Sequence, residues 1–145
     1  MRKYLLAIAL MLATAVPVNA TQAGYSNKEL DCMARNLYHE ARGESERGMI
    51  MVAEVTINRT EHKGFPSTIC GVVYAPNAFE WTRKSAKIKE PKQFEKAKKV
   101  AEKVLSGKAK LTGTEALYFK TKGYKSAFHS KRKHLGTVGN HEFYK

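Results

Sequence analysis

Two successive apolar patterns constrain most strongly what this chain can fold into. The first recurs at intervals of three and four residues and comprises Leu30, Met33, Ala34, Leu37 and Ala41. This spacing predicts an amphipathic helix. The helix is expected to begin at Ser26, since Ser26 and Glu29 have the spacing of a capping box, and to end at Gly43. The second pattern, Met49 to Ile57, is apolar on nearly every side and follows a cap at Glu44 to Glu46. It predicts a buried helix packed against the first.

Glu40 is the best candidate for a catalytic acid. At about 100° per residue it falls next to Met33 at the edge of the apolar stripe, and it lies in the last turn of the first predicted helix. Burial and the negative end of the helix dipole both raise the pKa of a carboxyl group. A carboxylic acid that stays protonated near neutral pH can protonate a leaving-group oxygen. The alternative is a surface glutamate paired with Arg35, Arg42 or Arg47.

Several short motifs follow one another along the chain. They read YHEARGE from Tyr38, INR ending at Arg59, then FP, IxGVVY, PxAFxW and a closing GNHEFY. In order and separation they resemble the cell wall hydrolases of the spore-cortex-lytic type (SleB/CwlJ), over roughly Glu29 to Tyr144. The resemblance implies an α+β fold of the lysozyme or transglycosylase type and peptidoglycan as substrate. It also implies that Glu40, the first glutamate of the EARGE block, is the catalytic acid/base.

The first twenty residues have the pattern of an export signal. A basic start at Arg2 and Lys3 is followed by an apolar stretch and by small residues up to Ala20, as at a cleavage site. We interpret residues 1–20 as a signal peptide, with an uncleaved membrane anchor as the alternative, and residues 24–145 as one catalytic domain. The protein is therefore expected to be secreted, in the periplasm or cell wall, and to touch the membrane only through that segment.

The charge of the chain predicts a polyanionic partner. Cleavage after Ala20 removes two of the 26 basic residues and none of the 13 acidic residues, which leaves a net charge of +11. An exported protein meets the carboxylates and phosphates of the cell wall, and the sequence has no nucleic-acid-binding motif. We expect peptidoglycan as the partner, no nucleic acid, and a monomer.

Cys32 and Cys70 both remain in the exported chain. Because a disulfide is the default state of cysteines outside the cytoplasm, we expect these two to pair. The bridge would tie the first helix to the segment after Pro66, and loop closure would stabilise the fold by about 4 kcal/mol. A Cys/His peptidase is the alternative, but His39 lies two helical turns from Cys32, about 10 Å away and beyond hydrogen-bond reach.

The sequence predicts neither a metal site nor another cofactor. His39 and Glu40 begin like the zinc-protease motif H-E-x-x-H, but the fifth position is Gly43, so the second helical ligand is missing. The histidines between His129 and His141 have no recognisable ligand spacing.

The rest of the chain predicts one more helix and a small sheet. Pro91 fits the first turn of a helix with apolar positions from Phe94 to Leu105 and an end at Gly107. The opposite face carries Lys92, Lys96, Lys99 and Lys103, either as a solvated face or as a docking surface for anionic wall polymer. The β-prone runs 116–119 and 142–144 lie among glycines. The predicted fold is mainly helical, with a small β subdomain flanking the substrate groove.

Four residues complete the predicted substrate-binding set around Glu40. Phe79 and Trp81 alternate in a predicted loop or extended stretch, and exposed aromatic rings bind the flat faces of sugars, although core packing is the alternative. Tyr118 belongs to the predicted sheet, and His141 belongs to the closing motif.

Three residues have predicted structural roles at the site: Arg42, Asn58 and Arg59. The last two close the second helix and are expected to hold the walls of the site by hydrogen bonds to the main chain, because arginine is a poor general acid. Glu54, in the middle of that helix, is also interpreted as structural, either on its polar flank or buried against Arg42 or Arg59.

Glu44 distinguishes the possible reactions. If the first helix continues past Gly43, Glu44 faces the same cleft as Glu40, so we count it as substrate-binding and as the second carboxylate that a muramidase-type hydrolase needs. A lytic transglycosylase needs one glutamate only. The resemblance implies this single-acid reaction between N-acetylmuramic acid and N-acetylglucosamine, which is our predicted activity. Hydrolysis and non-catalytic wall binding are the alternatives.

Overall fold

The computed structural model describes residues 24–145, so the predicted signal peptide lies outside the described residues. The helices of this range are α1 Asn27–Ala41, α2 Glu46–Glu61, α3 Ile69–Val73, α4 Glu80–Arg83, α5 Pro91–Leu105 and α6 Ala127–Ser130. The strands are β1 Tyr118–Thr121, β2 His134–Val138 and β3 His141–Tyr144. No helix between residues 24 and 145 is both long and apolar enough to cross a lipid bilayer.

Helix α1 lies at the centre of the helical layer and packs against α2, α3 and α5. Met33, Ala34, Leu37 and Ala41 of α1 are fully buried, as the apolar period predicts, and Tyr38 is buried with them. Helix α2 is buried continuously from Gly48 to Thr56, and Arg59 near its end is buried as well. The predicted three long helices are therefore confirmed, and their apolar faces form the core.

The ends of α1 follow from local chemistry. Ser26 caps the helix, and its hydroxyl accepts a hydrogen bond from the Glu29 amide at 3.2 Å. The Glu29 carboxylate does not return to Ser26 but accepts from the Cys70 amide at 3.0 Å, so only half of the predicted capping box forms. Gly43, with φ at +88°, turns the chain after the helix and allows Ser45 to cap α2.

The predicted disulfide between Cys32 and Cys70 is present, with Cα atoms 5.3 Å apart. It joins α1 to α3 beside the Glu29 hydrogen bond. Helix α3 begins after Thr68, whose hydroxyl accepts from the Gly71 amide at 3.0 Å. A covalent bond and a charge-assisted hydrogen bond thus fix α3 on the first turns of α1.

The three strands form one antiparallel sheet in the order β1-β3-β2. Tyr118 of β1 pairs with Tyr144 of β3, and Phe119 pairs with Phe143, whose side chain is fully buried against the helices. The small sheet beside the helices is confirmed. Strand β2 was not predicted, because Gly136 interrupts its apolar alternation and the pairing with β3 is irregular there.

Polar side chains of α2 hold the segment that leads into β1. The Glu54 carboxylate accepts hydrogen bonds from the Thr112 amide at 3.0 Å, the Gly113 amide at 2.8 Å and the Thr112 hydroxyl. The role of Glu54 is therefore structural, and its side chain is buried. The predicted pairing with Arg42 or Arg59 is wrong, because its partners are Thr112 and Gly113. Because two main-chain donors bind one carboxylate, a chain without regular secondary structure is fixed on the buried helix.

We expect Glu54→Gln to lower the free energy of unfolding by about 1–3 kcal/mol, because an amide N–H₂ group would then face a main-chain donor. Chemical denaturation measures the change. Glu61→Gln is the matched control, since Glu61 is exposed at the end of the same helix and its substitution should cost less than about 0.5 kcal/mol. An equal stability of the two variants would contradict the role given to Glu54.

The loop or extended stretch predicted around Phe79 and Trp81 ends before Trp81, because Glu80 begins α4. The Glu80 carboxylate pairs with Lys84 one turn on, and Arg83 lies 3.9 Å away. A four-residue helix leaves no periodic pattern in the sequence, which is why it was missed. Trp81 therefore stands on a short helix and not in a loop.

Candidate active site

Glu40 lies in the last turn of α1, at a cavity of about 650 Å³ between the helices and the sheet. The lining residues come from α1, from α4 and the residues after it, from β1 and the loop that follows, and from α6 and β3. They are His39, Glu40, Glu80, Trp81, Lys84, Ala86, Phe119, Lys120, Thr121, Tyr124, His129 and His141. The cavity is thus built where both layers of the fold meet.

Burial raises the pKa of the Glu40 carboxyl to about 7, and the Glu80 charge adds to the effect, while the Arg59 charge opposes it. Near pH 7 both the protonated and the ionised form of Glu40 are therefore populated. The same side chain can give up a proton and take one back near neutral pH, which is what a general acid/base requires.

Trp81 lies beside Glu40 and is held from α1. Its indole Nε1 donates to the Asn36 Oδ1 at 3.1 Å, and its ring stacks on His39 with centroids 4.4 Å apart and planes 19° from parallel. Burial lowers the pKa of His39, and the charges of Arg42 and Arg35 lower it further, so the stacked imidazole is neutral near pH 7. The arrangement fixes a flat aromatic surface next to the candidate acid.

His141 forms part of the opposite wall on β3. Burial lowers the pKa of His141, although the Glu44 charge and the main chain of Glu40 both raise it. Its Nδ1 is 3.8 Å from the Glu44 Oε1 and has no hydrogen-bond partner among residues 24–145. The ring is therefore mostly neutral at pH 7, and its unpartnered Nδ1 lies on the side of Glu44.

Glu44 does not line this cavity. Helix α1 ends at Ala41 and the chain turns at Gly43, so the condition under which Glu44 would face the cleft is not met. The carboxylate is 8% exposed and accepts from the Asn140 amide at 3.2 and 3.3 Å. A Cβ at Gly139, where φ is +56°, would overlap this carboxylate. Glu44 thus supports the turn between β2 and β3.

The other predicted site residues lie outside this cavity. Phe79 is 6% exposed and packs near Phe119, with centroids 6.3 Å apart, while Tyr118 lines a separate cavity. Arg42 is exposed, and its Nη1 is 3.0 Å from the Glu90 Oε2. Of the predicted set, the structure brings Trp81 and His141 to Glu40.

Asn58 and Arg59 are held against the segment before the sheet. The Asn58 Nδ2 donates to the Thr114 and Ala116 carbonyls at 2.7 and 3.0 Å, and the Arg59 Nε donates to the Leu117 carbonyl at 2.8 Å. Both side chains therefore bind main chain at the wall that carries β1.

Sequence reasoning missed two residues of chemical interest. Glu80, within PxAFxW, is a second carboxylate at the cavity, and a hydrogen bond from Lys84 lowers its pKa, so that it stays ionised beside Glu40. Tyr124 is 66% exposed and follows Gly123, and an exposed aromatic residue in a lysine-rich loop could have indicated a sugar contact. Within the part of the chain that the structure describes, no three His, Cys, Asp or Glu side chains form a metal site.

The chain matches known proteins over most of its length. The family model described as Cell Wall Hydrolase matches residues 43–144, beginning just after Glu40. The spore cortex-lytic enzyme of Bacillus cereus is 33% identical over 122 residues, which are 84% of this chain and 46% of that enzyme. The cell wall hydrolase CwlJ of Oceanobacillus iheyensis is 31% identical over 100 residues, 66% of this chain and 70% of CwlJ. The chain thus aligns with less than half of the Bacillus cereus enzyme.

Two solved structures have the same fold. The catalytic domain of SleB from Bacillus cereus gives a TM-score of 0.70 at 30% identity, over 85% of this chain and 94% of that domain. The catalytic domain of the germination-specific lytic transglycosylase SleB from Bacillus anthracis gives 0.71 at 30% identity, over 85% and 98%. These similarities confirm the α+β fold that the motifs implied. The chain belongs to the cell wall hydrolase family.

Proposed function

We propose that this protein degrades peptidoglycan as a lytic transglycosylase, with Glu40 as the single acid/base. The observation that carries the proposal is the Glu40 carboxyl, whose pKa is raised to about 7 at a cavity with an aromatic wall. The family supports peptidoglycan as the substrate, and the solved Bacillus anthracis relative, described as a lytic transglycosylase, supports the reaction type.

In the first step the protonated Glu40 gives its proton to the glycosidic oxygen between N-acetylmuramic acid and N-acetylglucosamine. The bond from that oxygen to C1 of the muramic residue then breaks, and positive charge develops on its ring. In the second step the Glu40 carboxylate takes the proton of the C6 hydroxyl of the same sugar while O6 bonds to C1. The product is a 1,6-anhydro ring, no water is consumed, and Glu40 returns to its protonated form.

The neighbours of Glu40 have separate roles in this proposal. Trp81 and Tyr124 provide aromatic surfaces for sugar rings, and His141 faces the substrate from the sheet. Glu44 is a positioning residue, because its hydrogen bonds to Asn140 hold the turn that precedes His141.

The setting of the activity is part of the proposal. A substrate outside the cytoplasm is consistent with the predicted signal peptide and with secretion to the periplasm or cell wall. A net charge of +11 after cleavage favours adsorption of a monomer to the anionic wall. A groove of about 520 Å³ along α5 concentrates positive charge at Lys92, Lys96, Lys99 and Lys103, of which Lys103 pairs with Glu46 at 2.8 Å.

Muramidase-type hydrolysis is the second candidate, and the position of Glu80 favours it. A hydrolase needs an ionised carboxylate opposite the acid, as nucleophile or as base for a water molecule. Glu80 lines the Glu40 cavity and its charge reaches Glu40, whereas Glu44 does not line the cavity. Against this role, the Glu80 carboxylate is exposed and already pairs with Lys84.

Digestion of purified peptidoglycan in ¹⁸O-labelled water distinguishes the two reactions. Transglycosylation gives 1,6-anhydro-muramic ends without label, and we expect Glu80→Gln to reduce the rate by less than about tenfold, because the carboxylate takes no part in proton transfer. Glu44→Gln should also cost less than Glu40→Gln, and it controls for a change of carboxylate outside the cavity.

Labelled reducing ends, together with a loss in Glu80→Gln as large as in Glu40→Gln, would replace the single-acid mechanism by a hydrolase with two carboxylates.

A further inference from the structure

We propose that a second cavity beside Glu40 is an anion subsite, in which Arg59 binds a carboxylate carried by the substituent of the muramic residue. This inference rests on the proposed function and specifies what the substrate presents next to the bond that is cleaved. The carboxylate has two possible sources, the lactyl group itself or the peptide attached to it.

Arg59 is a buried cation that forms no ion pair among residues 24–145, although the charge of Glu40 acts on it from the neighbouring cavity. Its side chain is 8% exposed, and its Nε donates to the Leu117 carbonyl at 2.8 Å. Among residues 24–145, the two terminal amino groups of the guanidinium have neither a hydrogen bond nor an ion pair. Burial lowers the pKa of Arg59, while Tyr118 and the charge of Glu40 raise it, so the guanidinium carries a desolvation cost that its neighbours offset only in part. Such a cost is offset when an anion binds.

Aromatic rings hold the guanidinium but do not neutralise it. Its carbon lies 5.3 Å from the ring centroids of Phe65 and Phe79 and 5.7 Å from that of Tyr118. These contacts stabilise a cation by a modest amount and fix its orientation. A fixed planar guanidinium with unused donors suits the planar, two-oxygen geometry of a carboxylate.

Arg59 lines a cavity of about 470 Å³ that is separate from the Glu40 cavity. The other lining residues are mainly small or aromatic and come from the loops around α3 and from β1 and α6: Gly64, Phe65, Pro66, Val72, Ala75, Pro76, Asn77, Ala78, Tyr118, Phe119, Phe128 and His129. No lysine or second arginine is among them. One cation in a cavity of this size fits a single carboxylate better than a polyphosphate.

The two cavities share a wall. Phe119 and His129 line both of them, and the charge of Arg59 is near enough to lower the pKa of Glu40. A muramic residue placed at Glu40 would therefore have the second cavity next to it. This adjacency is what makes a substituent of the same sugar, and not a distant wall polymer, the occupant that fits.

The test compares four preparations of glycan strands with the mature protein, at high salt to screen the general charge of the protein. Two preparations carry stem peptides, with free or with methylamidated carboxylates. In the other two, an amidase has removed the peptides and exposed the lactyl carboxylate. That carboxylate is left free in one preparation and is methylamidated in the other. We expect methylamidation to lower kcat/KM at least about tenfold in the pair that holds the recognised carboxylate.

Arg59→Met should abolish that difference, so that it cleaves free and methylamidated strands equally. Arg132→Met is the matched control, because Arg132 also stacks on Tyr118, at 4.4 Å, but does not line the cavity. Arg132→Met removes the same charge, and this variant should still cleave free strands more efficiently than methylamidated strands. If Arg59→Met does not fold, equal cleavage of the four preparations by the unaltered protein still overturns the subsite.

Three outcomes are informative in different ways. Equal cleavage of all four preparations by the unaltered protein would overturn the anion subsite while leaving the proposed activity intact. A difference that persists in Arg59→Met would place the recognition elsewhere and would also overturn it. Absence of cleavage in every preparation would instead contradict the proposed function.

Discussion

Glu40→Gln should lower the rate of peptidoglycan cleavage by about 10²–10⁴-fold while folding and wall binding persist, because the amide can neither donate nor accept the transferred proton. The release of soluble muropeptides from purified wall measures the rate, and co-sedimentation with wall measures binding. Glu61→Gln removes an exposed carboxylate of α2 and should leave the rate unchanged. A folded Glu40→Gln variant that cleaves like the unaltered protein would show that Glu40 is not the acid.

The raised pKa of Glu40 predicts how the activity of the unaltered protein depends on pH. The protonated form begins the reaction, so activity should fall about tenfold per pH unit well above pH 7.

The free energy of unfolding should depend on the same group. The folded protein prefers protonated Glu40, and this contribution to stability is full below the ordinary carboxyl pKa and is lost as pH rises through about 7. Glu40→Gln avoids the loss and should be more stable at pH 8, by up to about 3 kcal/mol.

Replacement of both cysteines, as Cys32→Ser with Cys70→Ser, should lower the free energy of unfolding by up to about 4 kcal/mol. The bridge spans 38 residues, and its loss restores the conformational entropy of that loop in the unfolded chain. Chemical denaturation with and without reductant measures the effect. Reductant should lower the stability of the unaltered protein to that of the double variant and should not change the variant.

Thiol labelling provides an independent check of the same bridge. The unaltered protein should react with an alkylating reagent only after reduction and unfolding. If the double cysteine variant and the unaltered protein have the same free energy of unfolding in the absence of reductant, the disulfide does not stabilise the fold.

The sequence predicted the parts of this fold that depend on local periodicity. Helices α1, α2 and α5 each bury an apolar pattern long enough to recognise, and the residues of β1 and β3 are flanked by glycines. Glu40 could be selected as a candidate because its position within one helix already combines partial burial with the helix end. In each of these cases the deciding neighbours lie within a few turns of the chain.

What the sequence could not predict depends on contacts between distant residues. Whether Glu44 or Glu80 joins Glu40 depends on the turn at Gly43 and on where α4 packs, and no local pattern records either. The partner of Glu54 is a segment 58 residues away. Helices of four residues, as in α4 and α6, bury too few side chains to leave a period.

The hydrogen bonds between Glu44 and the Asn140 amide join residues that are 96 apart in the chain. Closing so long a loop costs more entropy than closing the short contacts within the helical layer, so we expect these bonds to form late in folding. The wall formed by His141 arrives with them. Until that stage we expect Glu40 to lie on a helix open to water with the acidity of an ordinary carboxylic acid, so its raised pKa should appear only when the fold is complete.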